Sequence, residues 1–279
     1  MSSSRDLEIR LGSLNEIKEI MSAMKNLSLM EVHKLGRFLE NQRRVIDSIE
    51  AAAADLLQFH RTLFPESATC RDFYLLVGSE RGFCGDFNEA LIRAFESHGA
   101  AAQKHSVVVV GAKLATKLTG DTRLRATISG ASVVEEIDGV LIGLMNALIG
   151  TPARGASDAP LRLTVLHHQP GQGPVAVTLL QPWQPRPLQG KRHSHAPLLY
   201  LQPQLFLAGL VEQYLFAGLH ELLYSSLLAE NQRRMQHMDA AVRRLEETCA
   251  ELVRTRNILR QEEITEEIEV IMLSVEALR

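Results

Sequence analysis

The longest pattern of apolar and polar positions lies at the C-terminal end. Met238, Leu245, Leu252 and Leu259 recur every seven residues, and Ala241, Thr248 and Thr255 fall three positions after the first three of them. Such a repeat marks a helix packed lengthwise on another helix, and small residues on half of the seam allow close approach. Further on, Ile264, Ile268, Ile271, Val275 and Leu278 step by four and three. The five-residue gap from Leu259 to Ile264 shifts the register between 256 and 263, which reads as a change of partner or of supercoil. Neither glycine nor proline occurs from His220 to Arg279, Pro203 suits a first helical turn, and only Gly209 and Gly218 interrupt the run between them. The spacing predicts one helix of ~75 residues from Pro203, ~110 Å long at ~1.5 Å per residue. No compact domain of this chain is that wide, so the helix is expected to project and to need a partner.

Residues 5 to 61 predict a second long helix. Leu7, Leu11, Leu14, Ile17, Met21 and Met24 line one face. Leu35, Phe38, Val45, Ile49, Ala52, Leu56 and Phe59 continue the alternation, with Gln42 as its polar member. Gly12 and Gly36 cost ~1 kcal/mol each without breaking such a pattern. Both terminal helices attach to one middle segment. If their stripes meet within the chain they must run antiparallel, with the longer C-terminal helix overhanging.

The middle changes period. Phe73–Gly78 and Ser106–Gly111 are short continuous apolar runs ending in glycine, as buried strands are. Leu124–Ile128, Leu161–His167 and Val175–Gln181 read as further strands, the last two joined by a hairpin signal, Gln-Pro-Gly-Gln-Gly. Helices are expected over 89–97, 113–118 and 133–149, loops over 150–160 and 181–196, and a last edge strand at 198–201. Strand–helix alternation with a terminal hairpin implies a small α/β sheet, parallel in part. The fold expected is therefore a long antiparallel two-helix coiled coil, from the segments 1–64 and 203–279, around a central α/β domain over 70–202 of Rossmann-like type.

Composition narrows the class. A formal net charge of -3 on 279 residues lacks the basic face that nucleic acid requires. No run of 18 apolar residues exists, and the start lacks the apolar core of a signal peptide, so a cytoplasmic protein is expected. Three cysteines, Cys70, Cys84 and Cys249, with no CxxC pair, argue for reduced thiols. Between 230 and 260 the last helix carries seven arginines against five acids, and from Glu262 on it carries six glutamates and one arginine. That switch of sign suits a rod lining a partner, and equally a helix kept soluble.

The candidate chemistry lies in the turn Ser79-Glu80-Arg81-Gly82-Phe83-Cys84-Gly85-Asp86-Phe87-Asn88, between the first strand and a helix. Glycines there would let backbone amides face an anion at a helix start. Both the dinucleotide fingerprint and the Walker lysine pattern are missing, and Asp86 would repel phosphate and fits better as a helix cap. A structural or partner-contacting turn is the favoured reading. His167-His168, and His193 with His195, read as solvated loop residues rather than metal ligands, since Lys191 and Arg192 disfavour a cation. Cys84 has no base identified beside it, and no G-x-S-x-G elbow is present.

Three stretches carry a resemblance. The turn S-E-R-G-F-C-G-D-F-N (79–88) is similar to S-D-R-G-L-C-G-G-F-N of the gamma subunit of F-type ATP synthases. A-E-N-Q-R-R-M-Q-H-M (229–238) resembles that family's S-E-x-x-x-R-M-x-A-M, and N-I-L-R-Q-E-E-I-T-E-E-I (257–268) its N-x-x-R-Q-x-x-I-T-x-E-I. Ala23-Met24 matches an A-M near the start, and order, spacing and length agree across essentially the whole chain. Three features depart from the pattern: Glu19-Ile20-Met21 in place of K-I-T, Asp86 in place of glycine, and the charges at Arg243, Arg244, Glu246 and Glu247. They mark a divergent branch, such as an alternative bacterial F-type ATPase.

The resemblance implies a central-stalk rotor. It would be a non-catalytic subunit coupling ion translocation to ATP synthesis or hydrolysis in a hexamer of alpha and beta subunits. It would also meet the epsilon subunit and the ring of c subunits, peripherally on the cytoplasmic face of the bacterial inner membrane. It implies no cofactor and no metal. It singles out Glu230, Arg234, Met235 and Met238, with Met24 opposite, as shaping the shaft. Asn257, Arg260, Gln261, Ile264, Thr265 and Glu267 would meet the hexamer, and Gly82, Cys84, Gly85 and Asn88 would shape the turn. Two other readings stay open on the residues alone: a coiled-coil adaptor pairing its helices between chains, and a Rossmann-like nucleotide-binding protein.

Overall fold

The computed structural model describes residues 4–60, 63, 71–100, 106–150, 161–180 and 195–276. Two long helices dominate: α1, Ser4–Phe59, and α5, Pro203–Glu276. Between them lie β1 (Arg71–Val77), α2 (Phe87–Phe95), β2 (Ser106–Val110), α3 (Ala112–Lys117), β3 (Leu124–Ile128), α4 (Ile137–Gly150), β4 (Leu161–Gln169) and β5 (Gly173–Leu180). The helical chain from Phe95 continues as a π-turn over Glu96–Ala100. Apart from the strand expected at 198–201, the predicted elements are present within a few residues, and the chain has the expected mixed α/β class with long terminal helices around a central sheet.

By compactness the chain divides into two units, one of residues 1–28 with 235–279 and one of 29–234. In the first, α1 and α5 run antiparallel. Lys25 Nζ meets Asp239 Oδ1 at 3.0 Å, and the Ser4 amide donates to Glu263 Oε1 at 3.4 Å. Leu7, Leu11, Met238 and Val242 are buried on the seam. Ile17, expected on it, is 44% exposed. From 261 to 275 every α5 side chain is exposed.

In the second unit the sheet order is β3-β2-β1-β4-β5. β1, β2, β3 and β4 are parallel, and β5 pairs antiparallel with β4. Strand side chains alternate between faces. Leu75, Val77, Val108, Val110, Leu163 and Val165 face α4, α1 and α5, while Tyr74, Leu76, Val107, Val109 and Leu166 face α2 and α3. Both faces are thus covered, which is why these strands read as unbroken apolar runs. Within this unit Phe38 stacks on Tyr224, and Gln42 Nε2 donates to the Ala217 carbonyl at 3.0 Å, so the predicted polar member of the stripe does face α5.

Three expectations are corrected. The buried stripe of α1 runs through Leu35, Leu39, Ile46 and Ala53, whereas Phe38 and Val45 are each 47% exposed. Phe38–Leu39 and Val45–Ile46 are adjacent apolar pairs about 100° apart on the helix, and period alone cannot choose between their members. Residues 198–201 form no strand, and Leu198 is 91% exposed and Tyr200 fully exposed, so no sheet face is there for their side chains to cover. His167 and His168 are no loop residues. β4 extends to Gln169, and both are buried, at 3% and 2% exposure. His193 and most of the loop at 181–196 lie outside the described residues.

Candidate functional site

The strand order reverses at β1, whose neighbours β2 and β4 lie on opposite sides of it. The crevice beyond the carboxyl end of such a strand is where open α/β sheets hold ligands. Here that crevice begins at Gly78, and the turn 79–88 folds over it. Gly78 is forced by space: a Cβ there would stand 2.4 Å from Leu114 Cβ and 2.9 Å from Asn88 Oδ1. The Ser79 amide donates to Asn88 Oδ1 at 3.0 Å, and Asn88 Nδ2 donates back to Ser79 Oγ at 2.8 Å. The Cys84 thiol lies 3.4 Å from the same hydroxyl. Phe83 and Gly85 both take positive φ, 64° and 65°, a conformation that costs a bulky residue such as Phe83 and not glycine.

Helix α5 closes the crevice. Ser226 Oγ donates to the Val77 carbonyl at 3.2 Å. Ala229 packs against Cys84 and Phe87. The next residue, Glu230, forms an ion pair with Arg234. The Glu230 carboxylate also accepts the backbone amides of Arg81 and Glu80. Arg234 Nε donates to the Gly82 carbonyl at 3.2 Å, and its Nη1 to Asn231 Oδ1 at 3.0 Å. Glu230, Asn231 and Arg234 are 3%, 2% and 5% exposed. Burial pushes the Glu230 carboxyl up to about 7, against the pull of Arg234 and the two amides. Burial likewise raises the Cys84 thiol above its ordinary value, so it is no ready nucleophile.

The outer side is fastened by other groups. Asp86 occupies the N-cap position of α2 but makes no side-chain capping bond, which corrects its expected role. Its carboxylate instead meets Arg93 at 3.5 Å and Arg233 at 3.6 Å. His168 stacks on Phe87 at 3.7 Å between centroids, with Nε2 2.8 Å from the Phe87 carbonyl. Glu80 turns its carboxylate away, onto the amides of Ala112 at 2.8 Å and Gly130 at 2.7 Å, tying the ends of β1, β2 and β3 together. Two amides of the turn, those of Glu80 and Arg81, are therefore taken by the internal Glu230 carboxylate. That argues against the nucleotide-binding alternative on this crevice. Among the described residues no group of three or more His, Cys, Asp or Glu is placed to hold a metal ion.

The expected residues are thus sorted. Gly82, Cys84, Asn88, Glu230 and Arg234 come together in one cluster, with Gly85 exposed beside it. Met24, Met235 and Met238 belong to the other unit, where Met238 is fully buried and the other two are partly so. Asn257, Arg260, Gln261, Ile264, Thr265 and Glu267 are exposed on α5. Sequence reasoning passed over Asn231, Ser226, Ser79, Glu80 and His168 as working parts. The available signal was Glu230 and Arg234 at i, i+4, directly after the apolar run Leu227-Leu228-Ala229, where a polar pair needs partners.

A family model described as ATP synthase matches residues 3–278. The chain belongs to the ATP synthase family. It is 25% identical over 301 residues to the ATP synthase gamma chain of Azobacteroides pseudotrichonymphae, with 100% of both chains covered. It is 24% identical over 286 residues to that of Polynucleobacter asymbioticus, with 98% of each covered. Its fold is similar to a chain of the Euglena gracilis mitochondrial ATP synthase OSCP/F1/c-ring structure, at TM-score 0.61 and 16% identity, covering 99% of this chain and 94% of that one. A Tetrahymena thermophila chain from a central stalk/c-ring structure gives TM-score 0.56 at 15% identity, covering 80% and 99%. The family expected from the three motifs is thereby established, and the curated relatives that the chain resembles are gamma chains. Among the described residues no helix of this ATP synthase gamma-type chain is long and apolar enough to cross a membrane.

Proposed function

We propose that the chain is a non-catalytic shaft whose turn-to-helix cluster carries conformational coupling between a membrane ring of c subunits and a hexamer of alpha and beta subunits. The segments 1–64 and 203–279 form the shaft in this reading, and 70–202 the base, which also meets an epsilon subunit. ATP is made or hydrolysed in the partners. The chain itself sits peripherally at the cytoplasmic face of a bacterial inner membrane. The observation that carries the reading is the docking of one gamma-like motif on another, the 79–88 turn on Glu230 and Arg234 of α5. A turn locked to a long helix moves with it, and differential contacts made by such a rigid body bias a partner between states. The exposed residues from Asn257 to Glu267 are the proposed contacts with the hexamer.

The test is reconstitution with the alpha and beta chains encoded in the same genome. A complex with ATPase activity that requires this chain is expected. A chain that stays outside an alpha–beta complex, or an alpha–beta ATPase indifferent to it, would overturn the reading.

A further inference from the structure

We infer that Glu80 is a positioning residue that carries the hold of α5 on the 79–88 turn through to the loops after β2 and β3, so that the ends of three strands move with the long helix. The inference deepens the coupling reading and rests on it for its consequence, not for its test.

Glu80 meets its two sides with different parts of itself. Its backbone amide, with that of Arg81, donates to the Glu230 carboxylate of α5. Its side chain reaches the other way. There one oxygen, Oε2, accepts from the Ala112 amide at 2.8 Å and from the Gly130 amide at 2.7 Å. Those donors lie 32 and 50 positions further along the chain. Ala112 is the first residue of α3, and Gly130 lies in the loop between β3 and α4. Hydrogen bonds from backbone amides to a carboxylate are about twice as strong as neutral ones. A displacement of the residue 80 backbone therefore pulls on both loops through a single atom.

The packing around that atom is tight enough to transmit the pull. A Cβ at Gly130 would stand 3.2 Å from Glu80 Oε2 and 3.2 Å from the Gly111 Cα. Gly111 takes φ 105°, and a Cβ there would stand 2.7 Å from the Ser79 carbonyl oxygen. Glycine at both positions lets the backbones after β1, β2 and β3 converge on the carboxylate. Other bonds join these ends in pairs: the Lys113 amide donates to the Ser79 carbonyl at 3.1 Å, and the Gly111 amide to the Ile128 carbonyl at 2.9 Å. Glu80 joins all three ends and is itself held by α5.

Coupling along such a chain of contacts is measured by perturbing one end and reading the other. The experiment is residue-resolved amide hydrogen exchange of the full chain, read at Ala112 and Gly130. The amides of Val165 and Leu166 in β4, on the other side of β1, serve as the reference. Glu80→Gln keeps an acceptor without the charge and should raise exchange at Ala112 and Gly130 about threefold to tenfold over the reference, and Glu80→Ala should raise it further. Glu230→Gln alters a side chain that bonds to neither amide, yet it should raise exchange at both by about threefold or more. It should add nothing at these two amides once residue 80 is alanine. If Glu230→Gln does not fold, E230Q/R234M removes both charges of the buried pair and serves in its place. Parent rates at Ala112 and Gly130 in the Glu230 variant, or a rise shared equally by the β4 reference, overturn the relay. A chain that assembles with alpha and beta but fails this test loses the relay and keeps the stalk reading. One that passes it and does not assemble does the opposite.

Discussion

Arg234 donates from Nε to the Gly82 carbonyl at 3.2 Å, across 152 positions of sequence. It joins the turn after the first strand to the middle of the last helix, and both of its other acceptors, Glu230 and Asn231, lie within one helical turn. A planar guanidinium with forked donors can serve three acceptors at once, which a lysine ammonium on a flexible stem does not reproduce.

Removing Arg234 alone should therefore be severe. Arg234→Met leaves a buried carboxyl facing only amides, and breaking a buried pair from one side costs ~3–5 kcal/mol. E230Q/R234M should recover much of that, and Arg234→Lys little. Urea denaturation of the full chain reads all three, and a single variant as stable as the parent would contradict the assignment.

Asn88 makes reciprocal bonds to Ser79, one to the amide and one to the hydroxyl, with all groups buried. Asn88→Asp keeps the acceptor but loses the donor, and Asn88→Ala loses both. Orphaning a buried polar group costs ~1–3 kcal/mol. Both variants should lower the denaturation midpoint, with Ser79→Ala milder because the backbone bond survives.

Two glycines, one just before this turn and one within it, should differ sharply. Gly78→Ala places a methyl 2.4 Å from Leu114 Cβ, so the crevice must open, and overpacking costs ~1–3 kcal/mol or more. At Gly82 a methyl would meet nothing within 4 Å, and Gly82→Ala should be close to neutral. Thermal unfolding of the pair gives the comparison directly.

Truncation after Glu263 should leave the second unit intact. It removes exposed side chains such as Ile264, Ile268, Ile271 and Leu273, 47% to 65% open to solvent. Circular dichroism should show lost helix with an unchanged unfolding midpoint for the sheet, while assembly with alpha and beta, or coupling within the complex, weakens. Unfolding of the sheet on truncation would count against the scheme.

His167 sets a pH limit from the acid side. Burial holds it down to about 4, against 6.5 for a free histidine, so the unfolded chain binds the proton more readily. Its contribution, of order 3 kcal/mol, is present above pH 6.5 and lost as pH falls through 6.5 towards 4. Glu230 has the opposite sign: raised in the fold, it stabilises most below about 4.5 and loses that contribution as pH rises through 7. His167→Asn should reduce the acid limb of a stability profile, to which His168, also held down by burial, still contributes, and leave the neutral limb unchanged.

Periodicity by itself determined the elements. The β-branched run Val107 to Val110 favours a strand buried on both faces, and the uninterrupted stretch 220–276 favours a helix, because side-chain branching, sevenfold spacing and the absence of glycine and proline are local facts. The motifs 79–88, 229–238 and 257–268 named the family for the same reason: spacing within a motif survives divergence in its surroundings. What lay beyond the sequence was which of two adjacent residues turns inward. Leu39 and not Phe38 is buried, and Ile46 and not Val45, because the choice belongs to the partner surface. His167 and His168, polar in any scale, are interior because β4 runs two residues past the apolar pattern into the space beside Phe87. The contact of the turn with α5 belongs wholly to the tertiary structure. Glu230 and Arg234 read as an ordinary helical pair until folding brings the Glu80 and Arg81 amides and the Gly82 carbonyl from the turn after β1, and burial there, not residue type, gives the carboxyl its value.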